Sequence, residues 1–177
     1  MLCAAETLRA HHGGVQIEAY DCGVDDRRVP GLVADADLVV DARHNFPERF
    51  ALNRLCLEAG VPLVVAAMSG NEAELLVVRP GGPCLRCVFR EGDPSWQPLT
   101  FPVFGAVAGT VGCLAAMEAI KLLGRFGRPA TGRLVHLDLD DLALRSFRVE
   151  RDPECPDCSS VVGGSSEPAD PAEASLV

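Results

Sequence analysis

The chain has 177 residues, enough for one domain or a large part of one. It is 48% hydrophobic and 23% charged, which excludes a disordered or fibrous chain. Sixteen basic residues against 25 acidic ones leave a net charge of −9, so neither a nucleic-acid backbone nor an anionic membrane is the expected partner. Aromatic residues make up 5% of the chain, too few to suggest a platform for stacking bases.

Met1-Leu2-Cys3-Ala4-Ala5-Glu6 lacks the basic start of a signal peptide and meets an acid at once. Residues 2–11 are prone to form a helix, with Leu2, Ala5 and Leu8 on one face, and Gly13-Gly14 stops it. Residues 15–20, Val-Gln-Ile-Glu-Ala-Tyr, alternate as a half-buried strand does. Residues 21–28 are polar and read as loop, and residues 30–36 as a short helical turn. Residues 38–42, Leu-Val-Val-Asp-Ala, are an apolar run ending in an acid, which suits a parallel strand buried on both faces.

Asn45-Phe46-Pro47 opens a helix, with the proline well placed in its first turn, and Gly60 ends it. Residues 62–67 and 73–78 are predicted strands, and the tight Ser69-Gly70-Asn71 turn between them favours an antiparallel hairpin. Residues 92–102 form a proline-rich loop holding the one tryptophan, Trp96. Residues 103–123 are a long helix. Its uncharged stretch, 101–117, is short for a membrane span and rich in Gly and Ala, so a buried core helix is the better reading. Residues 134–139 and 146–149 are late strands, and 159–177 are small, acidic and polar. The expected location is the cytoplasm.

The eight cysteines fall into two classes. Cys3, Cys22, Cys56 and Cys113 are scattered and read as small core residues. Cys84-Leu85-Arg86-Cys87 and Cys155-Pro156-Asp157-Cys158 are two C-x-x-C knuckles, within which Arg86 and Asp157 are expected to be solvated. In a reducing compartment such knuckles suggest metal more than redox pairs or unpaired core thiols. Four thiolates close a tetrahedral zinc site and leave no open position, so the zinc would be structural.

Asp41-Ala42-Arg43-His44-Asn45 is the second candidate site. It lies where a parallel strand turns into a helix, the place where open α/β sheets bind ligands. Arg49, one turn into the helix, could reach a phosphate there. On spacing alone the plainer alternative is favoured: Asp41 or Asn45 caps the helix and Arg49 lies on the surface. His11 and His12 look like a helix end, and His136 like a residue on a strand surface. There is no G-x-G-x-x-G after a strand and no Walker sequence.

Four blocks together resemble the ThiF/MoeB/HesA family, the ubiquitin-activating-type adenylyltransferases. Leu38-Val39-Val40-Asp41-Ala42-Arg43-His44-Asn45-Phe46-Pro47-Glu48-Arg49, followed by Asn53, is similar to the family's "LVVDATDNFxxR". Gly60-Val61-Pro62-Leu63-Val64 resembles "GVPLV", and Pro83-Cys84-Leu85-Arg86-Cys87 resembles "PCYRC". Met117-Glu118-Ala119-Ile120-Lys121-Leu122-Leu123 resembles "EAIKLL", with the second knuckle closing the match.

The resemblance implies an α/β fold: an incomplete Rossmann-like mixed sheet, parallel then antiparallel, with helices on its faces and a four-cysteine zinc site. Residues 1–158 would be the C-terminal part of a ThiF/MoeB/HesA-type domain and 159–177 a disordered tail. The implied chemistry is ATP-dependent and magnesium-dependent adenylylation of the C-terminal Gly–Gly carboxylate of a ubiquitin-like sulfur carrier. Asp41, Asn45, Arg49 and Asn53 stand at the family's nucleotide-side positions, and a homodimer or a complementing subunit is a further expected partner.

Three departures qualify that expectation. Residues 1–11 match a helix inside the family domain, so the family's glycine-rich nucleotide loop and acidic ribose-binding strand have no counterpart here. His44 stands where the family has a metal-positioning Asp, and neutral imidazole is a poor ligand for magnesium. Between Cys87 and Cys113 there is no cysteine for thioester or persulfide chemistry. The chain alone is therefore expected to be inactive, as a truncated or degenerate member. The alternative is a non-catalytic module that holds a carrier or a partner subunit. In the family's strand order two strands would lie between residues 15–20 and 38–42. Either these two segments pair directly and close the gap, or residues 38–42 become an edge for a partner to cover.

Overall fold

The computed structural model describes residues 2–92 and 102–160. In chain order the elements are α1 (Leu2–His11), α2 (Val29–Ala34), β1 (Val39–Asp41), α3 (Phe46–Ala59), β2 (Leu63–Ser69), β3 (Glu72–Val78), the one-turn α4 (Leu85–Val88), α5 (Gly105–Gly124), β4 (Arg133–Asp138) and β5 (Ala143–Arg148). The strands form one sheet in the order β1-β2-β3-β4-β5. The β1–β2 pair is parallel, with α3 as its crossover, and the remaining pairs are antiparallel. The expected mixed sheet, parallel first and antiparallel after, is what the chain forms.

Local chemistry explains the boundaries near the site. Asn45 caps α3 by accepting the Glu48 amide, Pro47 sits in the first turn, and Gly60 closes the helix with φ 72° in the left-handed region. Ser69 pairs with Glu72 across a two-residue turn, and Gly70 at φ 60° supplies the positive φ that a tight hairpin needs at its first position.

The central strands β2 and β3 are covered on both faces. On one side Leu63, Val65, Leu76 and Val78 pack with Leu52, Cys56 and Leu57 of α3, with Val29 and Val33 of α2, and with Cys84, Cys155 and Cys158 of the knuckles. On the other side Val64, Leu75, Val77, Ala73 and Leu137 meet Val107, Val111 and Ala115 of α5. A fully buried Val or Leu contributes about 1.5–3 kcal/mol, so these two layers dominate the stability of the fold.

Several expectations are corrected. Residues 15–20 form no strand; Val15 is 60% exposed, and Arg9 Nη2 donates to the Ile17 carbonyl at 2.6 Å. An alternating pattern favours extended backbone, but a strand needs a neighbour to complete its hydrogen bonds. Residues 15–20 and 38–42 are not paired, so the sheet does not close the gap by that route. Among the described residues β1 pairs only with β2 and lies at the sheet edge, with Val40 46% exposed. It is not buried on both faces.

The long helix α5 is long and apolar enough to cross a membrane by length and composition, yet one side of it packs on the sheet. It is not buried all round: Met117, Ile120 and Leu123 are exposed. Of the scattered cysteines Cys56 alone is buried, Cys22 is half-buried, and Cys3 and Cys113 are exposed. Residues 93–101, with Trp96, and 161–177, the bulk of the expected tail, lie outside the described residues.

Candidate functional site

The two knuckles meet beneath α3. Cys84 Sγ lies 3.5 Å from Cys155 Sγ and 3.9 Å from Cys87 Sγ, and Cys87 Sγ lies 3.5 Å from Cys158 Sγ. All four sulfurs fall within 4.8 Å of one another. Tetrahedral zinc with Zn–S bonds of about 2.3 Å spaces its sulfurs about 3.8 Å apart, which matches this cluster. Amides already point at one sulfur: Cys84 N–H and Asp152 N–H each donate to Cys87 Sγ at 3.4 Å. The other thiols are pulled in different directions: at Cys155 the opposing effect of burial is outweighed by hydrogen bonds from the Cys158 and Asp157 amides, which pull the thiol below its ordinary value. Burial pushes the Cys84 thiol well above its ordinary value, and it pushes Cys158 up to about 12. The cysteines are free of disulfides, as the metal reading expects.

The residues between the cysteines are engaged, which corrects the expectation that they are solvated. Asp157 accepts from Asn53 Nδ2 at 2.8 Å, with its side chain 6% exposed. The Arg86 guanidinium lies 4.1 Å from the centre of the Phe50 ring.

The β1–α3 turn is the second feature. Asp41 is fully buried and Arg49 is 9% exposed. Arg49 Nη1 donates to Asp41 Oδ2 at 2.8 Å, and the Arg43 amide donates to Asp41 Oδ1 at 2.7 Å. Arg49 also donates to the Arg43 carbonyl and to the Ala66 carbonyl. Burial pushes the Asp41 carboxyl above its ordinary range, opposed by the Arg49 charge and the Arg43 amide. Arg43 grips Glu48 through Nε and Nη2 at 2.7–2.9 Å, and Asn45 Nδ2 donates to the same carboxylate at 2.7 Å. Asn45 is thus the cap, and Arg49 is turned inward. Cys56 lies behind this turn; burial, with the Asp41 charge adding, pushes its thiol up to about 12, so it offers no thiolate nucleophile near neutrality.

A cleft of about 700 Å³ opens beside the turn. Arg43, His44, Asn45 and Arg49 line one wall, and Glu74 and His136 of the sheet line another. His136 Nδ1 stands 3.9 Å from Glu74 Oε1, its cross-strand partner. Of the four residues expected on the nucleotide side, Asn45 and Arg49 line this cleft, while Asp41 is fully buried and does not line it, and Asn53 is directed toward the knuckles: it accepts the Leu85 amide at 3.1 Å as well as binding Asp157.

Three residues escaped the sequence reading. Asp157 and Arg86 gave no signal beyond their place between cysteines. Glu118, inside the apolar α5, is 6% exposed; it accepts from the Ala130 amide at 2.8 Å and pairs with Lys121, tying the helix to the segment that leads into β4. A lone acid in so apolar a helix was the available clue.

A crossover βαβ unit, an antiparallel extension and a cysteine cluster gripped by the crossover helix define a mixed α/β domain with four sulfurs placed to hold a metal ion and a cleft at the strand-to-helix turn. The chain belongs to the ThiF family, whose model matches residues 1–157. Protein HesA of Nostoc sp. is 42% identical over 158 residues, covering 89% of this chain and 62% of that protein. The sulfur carrier protein adenylyltransferase of Thermus thermophilus is 34% identical, covering 89% and 61%. The solved structure of the microcin C7 biosynthetic enzyme MccB with N-formylated MccA shares the fold, with a TM-score of 0.74, 20% identity, and 86% of this chain covered against 50% of that one. The chain therefore spans about three-fifths of the length of these curated relatives.

Proposed function

We propose that this chain is the metal-bearing, carrier-facing part of an adenylyltransferase that activates the C-terminal Gly–Gly carboxylate of a ubiquitin-like sulfur carrier. The observation that carries the reading is the 34% identity to a sulfur carrier protein adenylyltransferase across nearly all of the folded region. The cleft beside the β1–α3 turn supports it, because a narrow tail without side chains could enter there. Structural zinc fits the four cysteines and would lock the knuckles together.

Magnesium and ATP belong to the proposed reaction, but the turn by itself fits a metal–nucleotide poorly. Arg43 is engaged by Glu48 and Arg49 by Asp41, and the imidazole of His44 is a weak partner for a hard cation. We therefore expect no adenylylation by this chain alone. ATP–pyrophosphate exchange, measured with a panel of carriers ending in Gly–Gly, is the test. Exchange at the no-enzyme level is expected, and clear exchange above it refutes the expectation. His44→Asp alone should not raise exchange, since both arginines keep their internal carboxylates.

The second reading, a non-catalytic module that holds a carrier or subunit, is favoured by one residue, His44 at the family's Asp position. The assay separates the two. Exchange that appears when the remaining part of a HesA-type relative is supplied in trans supports the enzyme. Carrier binding by titration, without exchange in either case, supports the holder.

A further inference from the structure

Asn53 is fully buried, and both ends of its amide are occupied. Its Oδ1 accepts from the Leu85 amide at 3.1 Å, inside the first knuckle. Its Nδ2 donates to Asp157 Oδ2 at 2.8 Å, inside the second. Asp157 also faces Arg86 Nε at 3.9 Å, and Arg86 in turn stacks over Phe50 of α3. Each knuckle thus returns to α3 through the residues between its cysteines. Arg49 precedes Asn53 by four residues, so the two side chains leave the same face of the helix. Arg49 holds Asp41 and the carbonyls of Arg43 and Ala66, the frame of the β1–α3 turn.

We propose that Asn53 is a positioning residue for the cysteine cluster: it sets the two knuckles at the separation a metal needs and ties the filled cluster, through one turn of α3, to the β1–α3 turn. The physical problem it addresses is one of distance along the chain. The two cysteine pairs come from segments far apart in sequence, and each knuckle can move as a unit until something outside it fixes its angle. A buried amide with one donor and one acceptor engaged fixes both angles at once. Groups that orient metal ligands without touching the metal typically change metal affinity by about 10–100-fold. The inference rests on the fit of the cluster to zinc, and it is independent of the adenylylation reading.

The test uses the full chain loaded with zinc. Zinc transfer to a chromogenic chelator is timed for the wild type, Asn53→Ala, Asn53→Asp and Asp157→Ala, with Val33→Ala, a core truncation on α2, as the control for general loosening. Asn53→Asp keeps the acceptor for Leu85 but sets a carboxylate against Asp157. Release is expected to be about tenfold or more faster in both Asn53 variants and clearly faster in Asp157→Ala, with Val33→Ala close to the wild type. The Asn53→Ala/Asp157→Ala double variant should be little worse than Asn53→Ala, because the two residues act through one bond. Cobalt substitution gives a second readout: the ligand-field bands of the four-thiolate site should shift or broaden in the Asn53 variants and stay unchanged in Val33→Ala. Hydrogen exchange then tests the link to the turn. Removing zinc from the wild type should speed exchange at the Glu48 and Arg49 amides, and Asn53→Ala should show that faster exchange with zinc still bound. Release and cobalt spectra unchanged in both Asn53 variants would overturn the positioning role. Turn amides indifferent to zinc would overturn the coupling. If Asn53→Ala does not fold, Asp157→Ala, on the partly exposed second knuckle, decides the first point by the same release rates.

Discussion

Asp41 carries a charge at 0% exposure, and that charge is tolerated because Arg49 meets it at 2.8 Å and a backbone amide meets its other oxygen. Breaking such a pair from one side leaves the survivor buried without its counter-charge, at a cost of about 3–5 kcal/mol. Arg49→Met and Asp41→Ala should each lower stability by roughly that amount in urea denaturation. The Asp41→Ala/Arg49→Met double variant should be no worse than the worse single one, since no buried charge is left over. Strict additivity of the two losses would show that the pair is not coupled. Sequence placed Asp41 and Arg49 in one constellation and offered two roles for Arg49, a phosphate ligand or a surface residue. The inward role was not legible, because nothing in local spacing tells whether a helix residue one turn from the cap faces the strand or the solvent.

At the scale of the element, α3 was the most legible part of the chain. Its cap, its first-turn proline and its closing glycine are local signals, and each acts within four residues. Asn45 accepts the Glu48 amide at 2.8 Å, satisfying one free N–H of the helix end, and its Nδ2 donates to the Glu48 carboxylate, which holds the cap in place. Asn45→Ala should cost about 1 kcal/mol by thermal or urea unfolding, and Asn45→Ser should cost less because it keeps a capping acceptor without setting a second charge against the Glu48 carboxylate. An unchanged midpoint in Asn45→Ala would contradict the cap. Residues 15–20 were misread for the complementary reason. Their alternation is a true local preference, but strand formation depends on a neighbour that local sequence does not specify. α5 was found where expected, while its environment was not: one face packs on β2 and β3, and the other leaves Met117, Ile120 and Leu123 in the open.

For the whole molecule, the cysteine cluster joins the segment after β3 to the segment after β5, two strands that run in the same direction on either side of β4 and end on the same side of the sheet. A metal there closes a long loop. Apparent binding free energies for structural zinc in small peptides run about 10–16 kcal/mol, large beside the 5–15 kcal/mol by which an ordinary domain is stable. Purified protein should contain about one zinc per chain by elemental analysis, and a strong chelator should lower its melting temperature by many degrees. Protein without zinc, with all four thiols titratable and an unchanged melting temperature, would disprove the structural role. The cluster was readable as a metal site because two C-x-x-C spacings and soft sulfur donors restrict the chemistry whatever the fold around them. How the cluster is held was not readable. Asn53, Asp157, Arg86 and Phe50 converge only once α3 has been laid across the knuckles.

What the sequence alone determined is whatever short-range chemistry decides: the helix ends, the Gly70 hairpin, the two cysteine knuckles that could hold a metal ion and, through ordered motifs, the family. The cap, the hairpin turn and each single knuckle depend on groups a few residues apart, so tertiary surroundings do little to change them, and the family is read from the order of such blocks along the chain. The tertiary structure decided which strand lies at the edge, which side of α5 is covered, and whether a buried polar residue faces the cleft or the cysteine cluster. Those outcomes depend on which segments distant in sequence come into contact, and the same Asn or Arg satisfies its hydrogen bonds with whatever partner the packing brings within about 3 Å.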